Sequence, residues 1–471
     1  MPDPTRETGA PEHGAREYGA FLARLKAYER IEPFPQSRRP GKLAGVRWLL
    51  ERLGHPERGL QVAHVAGTNG KGMTCAMLAN LLQAAGHATG LYTSPHVVDL
   101  RERIVIAGRP ISEAALAAAG HRVLDLADAG RATVYFSYFD VLTAMGVFAF
   151  REAGCAWAVL ETGMGGLSDA TNAIAKRIAV LTRIGYDHMT VLGNTLHEIA
   201  GQKLGIVRAG IPTVLGAQEP ELEAWMAERI RALGSVPLPA AAYRIELPAG
   251  ARETVRAVWP GAVGQDSASV TVSVPGASLT RVKALCAANA LCAAEALLGP
   301  AHGGERAARV RVALATELPG RLERRSAQRI QGTAVVLPSL VLDGGHNAGA
   351  LDALADQLGQ WGVSGYTLII GLQADKLVPE VRAPLARLLG AARRILILAP
   401  QTARAPTAEA LAAFLRAALP AGSGPPIETL PDARAALLAA ARTPGDPVVA
   451  AGSFWMLGDL MRLLEPASPQ A

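Results

Sequence analysis

Short apolar runs alternating with helix-forming segments constrain this chain more than any other feature. Gln61–Ala66, Ala156–Leu160, Ile178–Thr182 and Pro212–Leu215 are each too brief for a helix and too apolar for a loop. They read as strands buried on both faces. The stretches between them can cross back over a sheet, which predicts parallel strands with helices on both sides. Met73–Ala85, rich in Ala, Leu and Met and closed by Gly86, is the first such helix. A second series begins near Ala334, with strands at Ala334–Leu342, Thr367–Ile370, Ile395–Leu398 and Pro447–Ala450. Helical stretches Ala350–Gln360, Leu377–Leu389, Ala408–Leu419 and Asp432–Ala441 separate them. Between the two series, from Ala232 to Thr280, Pro, Gly, Ser and Thr accumulate. Ser267–Val274 alternates polar and apolar there, as a half-exposed strand does. A helix from Val282 to Leu298 follows, and Leu318–Pro319–Gly320 reads as a hinge.

Composition supports this and removes other classes. Half of the 471 residues are hydrophobic, enough for two large cores and too many for a disordered chain. No run reaches the about 18 uncharged apolar residues of a membrane span, so no membrane partner is expected. Met1–Gly19 is polar and mixed in charge, so no secretory signal is expected and residues 1–20 read as a flexible tail. The net charge of +6 is scattered without a basic run, which argues against a nucleic-acid partner. Cys75, Cys155, Cys286 and Cys292 form no CxxC pair and lie in apolar stretches, as reduced thiols in a cytoplasm do.

The strongest local signal is His64-Val-Ala-Gly-Thr-Asn-Gly-Lys-Gly72, between a strand and a helix. Gly67, Gly70 and Gly72 let the amides of the loop, with Thr68 and Asn69, approach a phosphate. The helix N-terminus adds partial positive charge, and Lys71 reaches the outer phosphates. Val65 stands where a standard phosphate loop has its first Gly, and Gly72 follows the lysine instead of Ser or Thr. A hydroxyl for a metal must then come from elsewhere, from Thr74 or Ser94. Glu161 ends an apolar strand before a Gly-rich turn, where a carboxylate is well placed for magnesium. Each has a bland alternative: Lys71 a solvent-facing lysine, Glu161 a helix-capping one, His188 an ordinary half-buried histidine, Lys203 a surface lysine, Phe139 a core residue, Arg321 a salt-bridged arginine.

Together these segments resemble the dihydrofolate synthase/folylpolyglutamate synthase family of the Mur ligase superfamily. The resemblance rests on HVAGTNGKG, Leu91-Tyr-Thr-Ser-Pro-His96, Glu102-Arg-Ile104, Glu161-Thr-Gly-Met-Gly-Gly166 and Asp169-Ala-Thr-Asn172. It continues through Ile184-Gly-Tyr-Asp-His188, Lys203, Leu318-Pro-Gly-Arg321, Leu342-Asp-Gly-Gly-His-Asn347, Asp375-Lys376 and Gly452-Ser453. It implies an α/β protein: an N-terminal phosphate-loop ATPase-type parallel-sheet domain with a small antiparallel accessory segment, plus a C-terminal Rossmann-like doubly wound domain. The expected boundaries are 21–317 for the ATP-binding central domain, 318–322 for the hinge and 323–471 for the C-terminal domain.

The resemblance implies ATP as nucleotide and Mg2+ held by Ser94, Glu161 and His188; Asp187, next in sequence, can orient the imidazole as carboxylates beside a metal-binding histidine often do. The resemblance also implies a carbamylated Lys203, Arg321 on the transferring phosphoryl group, Asp343 at the nucleotide and His346 near incoming L-glutamate. Asn289 matches an adenine contact, although Leu285 and Cys286 replace the usual His-Gln. Ser137, Phe139, Asp169 and Ala170 would read the pterin. Other departures are Met73 for the serine after the loop, Leu167-Ser168 for Arg-Leu, and Gly345 and Ala348 for Ala and Pro. The reaction implied joins L-glutamate to dihydropteroate or a reduced folate through an acyl phosphate, in a cytoplasmic monomer. A Mur-type ligase on a nucleotide-sugar peptide, a non-catalytic folate-binding homologue and an unrelated phosphate-loop switch are the alternatives. Substrate preference, glutamate chain length, a monovalent cation (K+) requirement, the state of Lys203 and the oligomeric state are left open.

Overall fold

The computed structural model describes residues 10–29, 43–247, 253–260, 267–275 and 279–465, apart from 403, 421, 423 and 444. Its first sheet has eight strands. Across it run Arg109–Pro110, Ile104–Ile106, Thr89–Tyr92, Trp157–Glu161, Gln61–Ala66, Ile178–Leu181, Pro212–Leu215 and Val236–Pro239. The sheet is parallel from Thr89–Tyr92 onward, with an antiparallel hairpin at the other edge. Gln61–Ala66 lies at its centre, paired on both sides, with Val65 opposite Glu161. The loop after Ala66 therefore leaves the sheet at the same carboxyl edge that carries Glu161, where open α/β sheets bind ligands.

The helix Lys71–Ala84 is apolar over most of its surface because most of it is covered, with Gln83 and Ala84 exposed at its end. One face lies on the sheet and another meets the helix Arg281–Leu298. Val255, Ala257, Trp259 and Val272 extend this core into a three-stranded antiparallel sheet of Arg244–Glu246, Thr254–Trp259 and Ala268–Ser273. The expected accessory segment is this sheet.

The second sheet runs Glu323–Arg325, Leu340–Asp343, Val448–Ala451, Tyr366–Ile370, Ala392–Ile397 and Ile427–Thr429. It is parallel apart from the first strand. Asp343 closes Leu340–Asp343 at the carboxyl edge.

Three expectations need correction. Residues 10–26 are not a tail but the helix Ala10–Lys26; residues 1–9 lie outside the described residues. Phe21 and Leu25 are buried on the helix Glu113–Gly130, where a Cβ on Gly120 would lie 2.2 Å from the Phe21 ring. Burying such a phenylalanine contributes about 1.5–3 kcal/mol, which a reading dominated by neighbouring Pro, Gly and charge missed. Ala334–Leu342 is two short strands, Val336–Leu337 and Leu340–Asp343, because Pro338 cannot continue a ladder. The helix expected from Leu377 starts at Arg382, after a 3-10 turn at Pro379–Val381.

Candidate active site

The carboxyl edges of the two sheets face a common cleft of about 1270 Å³. Of the residues singled out in the sequence, Thr68, Asn69, Gly70, Lys71, Gly72, Ser94, Ser137, Phe139, Glu161, Asp169, Ala170, His188, Asn289, Arg321, Asp343 and His346 line it. Gly67, Thr74 and Lys203 are not among the lining residues. Thr74 is fully buried in the helix below the loop, so that of these two candidates Ser94 is the one that lines the cleft.

The phosphate loop needs its glycines for space. A Cβ on Gly67 would fall 1.8 Å from Thr182 Oγ1, and one on Gly70, whose φ is +85°, 2.9 Å from Cys286 Sγ. Lys71 opens the helix and its Nζ donates to the Thr68 carbonyl at 3.2 Å. Met73, two residues after Lys71, is buried in the core beneath. Glu161 is 3% exposed and accepts the Ser94 N–H at 2.9 Å. Burial raises its carboxyl above the usual range, opposed by the charge of Lys71. Ser94 is held by its own loop, where Glu102 accepts the amides of Val97, Val98 and Asp99 at 2.7–2.9 Å. Among the described residues no three His, Cys, Asp or Glu side chains gather into a metal cluster. A single buried carboxylate beside a serine hydroxyl at a phosphate loop fits a magnesium ion whose other ligands are phosphate oxygens and water.

Arg321 enters from the second-sheet side. Its guanidinium lies over the Phe454 ring at 3.5 Å from the centroid, and one terminal nitrogen is buried without a hydrogen-bond partner. The Asp343 carboxylate is anchored by the amides of Leu322 and Gly345, each at 2.8 Å.

A polar network spans the two sheets, and sequence reasoning gave it only in pieces. Asn69 and Asn347 exchange amide hydrogen bonds at 3.2 and 3.0 Å. Asp187 accepts from Lys376 Nζ at 2.7 Å and from Asn347 at 3.0 Å. Burial opposes its charge, but His346, His188 and Lys376 hold its carboxyl well below the usual range. His188 has its imidazole pushed down to about 4 by burial, so it is neutral and able to ligate at pH 7.

At the far end, Ser137 caps the helix Tyr138–Glu152 in a reciprocal box with Asp140. Phe139 is half-buried, its ring on the Gly163 backbone and 5.8 Å from the Tyr92 ring centroid. It therefore both packs and faces the cleft. Asp169 caps the turn Ala170–Ala173, accepting from Thr171 Oγ1 at 2.5 Å and the Met164 amide at 2.9 Å. On the helix Arg281–Leu298, Leu285 is exposed one turn before Asn289, while Cys286 sits under Gly70.

Lys203 is not a surface lysine. It is 4% exposed and its Nζ donates to the Gly67 carbonyl at 2.7 Å, behind the phosphate loop. Burial, with the charge of Lys71, lowers it to about 7. Lys176, buried beside Arg208, is likewise lowered to about 7. The unfolded chain holds these two protons up to the ordinary lysine range, so above pH 7 it binds more protons than the folded chain. Stability is therefore expected to rise with pH between 7 and 8, by up to about 1.4 kcal/mol per pH unit for each lysine; nearer the ordinary thiol range the four buried cysteines, held protonated by burial, oppose the rise. Urea unfolding at both ends of that window checks it: Lys176→Met should flatten the rise, and a fall with pH would contradict it.

No family model matches the chain. The dihydrofolate synthase/folylpolyglutamate synthase of Bacillus subtilis is 41% identical over 186 residues, 39% of this chain and 43% of that protein. A probable bifunctional folylpolyglutamate synthase/dihydropteroate synthase of Haloferax volcanii is 31% identical over 373 residues, 76% of this chain and 40% of that protein. The chain thus aligns with less than half the length of these two curated relatives. Solved structures extend the likeness. Mycobacterium tuberculosis folylpolyglutamate synthase complexed with ADP superposes with TM-score 0.78 at 28% identity, covering 96% of this chain and 98% of that one. E. coli FolC in complex with DHPP and ADP gives TM-score 0.74 at 26% identity, covering 95% and 98%. Sequence likeness in the curated relatives and structural likeness across both sheets point the same way: the chain belongs to the dihydrofolate synthase/folylpolyglutamate synthase family.

Proposed function

We propose that this protein is an ATP-dependent amide ligase joining L-glutamate to dihydropteroate, to a reduced folate, or to both. The observation that carries this reading is the convergence of Lys71, Glu161 and Arg321 on one cleft between two carboxyl sheet edges. A carboxylate at neutral pH is a poor electrophile, and transfer of the ATP γ-phosphoryl group to it gives an acyl phosphate. The glutamate amine then attacks that carbonyl, and phosphate leaves from the tetrahedral intermediate. Lys71 and Arg321, which both line this cleft, would stabilise the negative charge that builds up on the transferring group. The His346 Nδ1–H donates to the Gly344 carbonyl at 2.9 Å, so Nε2 carries the lone pair. Burial lowers this imidazole, which leaves it neutral and able to take the proton of the attacking amine.

Glu161, Ser94 and His188 would hold magnesium, which supplies charge neutralisation at the phosphates when bound. A lysine as close to neutral as Lys203 has a free amine lone pair, which supports carbamate formation with carbon dioxide and loss of one proton. Four buried free cysteines fit a reducing cytoplasm, and among the described residues no helix is long and apolar enough to cross a membrane.

The test is ADP release with MgATP and L-glutamate, with dihydropteroate and tetrahydrofolate in separate reactions. Turnover with either supports the reading and assigns the substrate. Silence with both, from folded protein that binds ATP, overturns it. Exchanging KCl for NaCl in the same assay reads the monovalent cation requirement.

A further inference from the structure

His64 opens the phosphate-loop motif, yet it takes no part in the loop. It is fully buried on the central strand, three residues before Gly67, and it joins two groups the mechanism above does not use. Its Nε2 lies 2.7 Å from Thr171 Oγ1, and its Nδ1 lies 3.0 Å from Lys176 Nζ. Lys176 Nζ also donates to Asn172 Oδ1 at 2.7 Å.

The donor directions follow from the ends of the chain. Lys176 has no acceptor to offer while charged, so it donates to Nδ1. Asp169 as a carboxylate has no donor, so the Thr171 hydroxyl donates to it at 2.5 Å. With its proton used there, Thr171 Oγ1 must accept, and His64 Nε2 must carry the hydrogen. Every bond then points one way, from Lys176 through His64 and Thr171 to Asp169. Asp169 passes the constraint on, because its other oxygen accepts the Met164 amide at 2.9 Å. Gly163 and Met164 line the cleft, and the Phe139 ring rests on Gly163.

We propose that Lys176, His64 and Thr171 are positioning residues that fix the Asp169 carboxylate, and through it the Gly163–Met164 turn, at the pterin end of the cleft. This rests on the folate ligase reading for the identity of the ligand, but the hydrogen-bond order does not. Burial lowers His64, which agrees with a neutral ring.

Two variants test it. Lys176→Met removes the donor to Nδ1; Lys176→Gln keeps a neutral one. Lys176→Met is expected to raise KM for the pteridine substrate about tenfold, leaving KM for ATP within twofold, with Lys176→Gln recovering most of the loss. Equal rises in both KM values, or an unchanged pteridine KM beside a lowered Tm, would show a purely structural role and overturn the proposal. Nitrogen shifts of labelled histidine, assigned with His64→Gln, read the ring without any substrate. A neutral Nε2–H tautomer is expected in the parent protein; an Nδ1–H tautomer or an imidazolium would overturn the chain. Were the parent to turn over neither folate, the ligase reading would fall while the tautomer still decided the hydrogen-bond order.

Discussion

A Lys71→Ala variant is expected to fold normally and to lose roughly 10²–10³-fold in kcat for ADP release. The reasoning starts from what Lys71 does without a nucleotide. Its Nζ donates to a backbone carbonyl of its own loop at 3.2 Å, a neutral acceptor that water can serve after truncation. The helix behind it is held by Met73, Met77, Leu78, Leu81 and Leu82 in the core, so little of its stability depends on position 71. On the proposed reading, with a nucleotide in the loop the same amine would be the cation on the first-sheet side that meets the outer phosphates. Its loss then weakens ground-state binding as well as the transferring group, and KM for ATP should rise together with the fall in kcat. Glu161 adds a second consequence, since Lys71 is the leading charge that opposes the upward push of burial on that carboxyl. Without Lys71 the carboxylate protonates more readily and the activity profile should move to higher pH. Steady-state kinetics across pH 6–9, with Tm to confirm the fold, settles the matter; kcat within threefold of the parent would remove Lys71 from the proposed chemistry.

The phosphate loop was legible because its signal is local. Glycines, lysine, the preceding strand and the following helix all lie within one short segment, and each glycine answers a nearby contact such as that of Gly67 with Thr182. Glu161 was legible for a related reason, as the last residue of an apolar run. The network between the sheets was not. Asn69 and Asn347 are 278 residues apart and Asp187 and Lys376 are 189 apart, and no spacing rule connects them. The burial of Lys203 escaped for another reason. On the helix Leu196–Leu204 a lysine has the same pattern whether it faces solvent or the back of a loop from another element. Strands failed where they were short or charged. Thr89–Tyr92 contains a glycine, and Glu323–Arg325 is wholly charged; both form only because a neighbouring strand supplies the ladder.

Arg321→Ala is expected to lower kcat by a comparable 10²–10³-fold, but with KM for ATP nearly unchanged. The difference from Lys71 lies in where the two cations are anchored. On the proposed reading, Lys71 belongs to the loop that would hold the nucleotide. Arg321 follows Gly320, whose carbonyl accepts the Gly344 amide at 2.9 Å, and so it is carried by the second-sheet side of the cleft. On the proposed reading, a group brought from that side would meet the phosphoryl as it is transferred. The buried guanidinium nitrogen without a partner supports this, because leaving such a donor unpaired costs about 1–3 kcal/mol unless something occupies the site during turnover. Arg321→Lys should recover little. A lysine keeps the charge, but its ammonium cannot lie flat on the Phe454 ring or present two parallel N–H groups to a phosphoryl oxygen pair. Phe454→Leu then separates placement from charge: the cation stays, its platform goes, and an intermediate loss in kcat is expected. If Arg321→Ala instead raised KM for ATP and left kcat intact, the guanidinium would be a ground-state nucleotide contact. The electrostatic work at the transferring group would then fall to Lys71 and the metal.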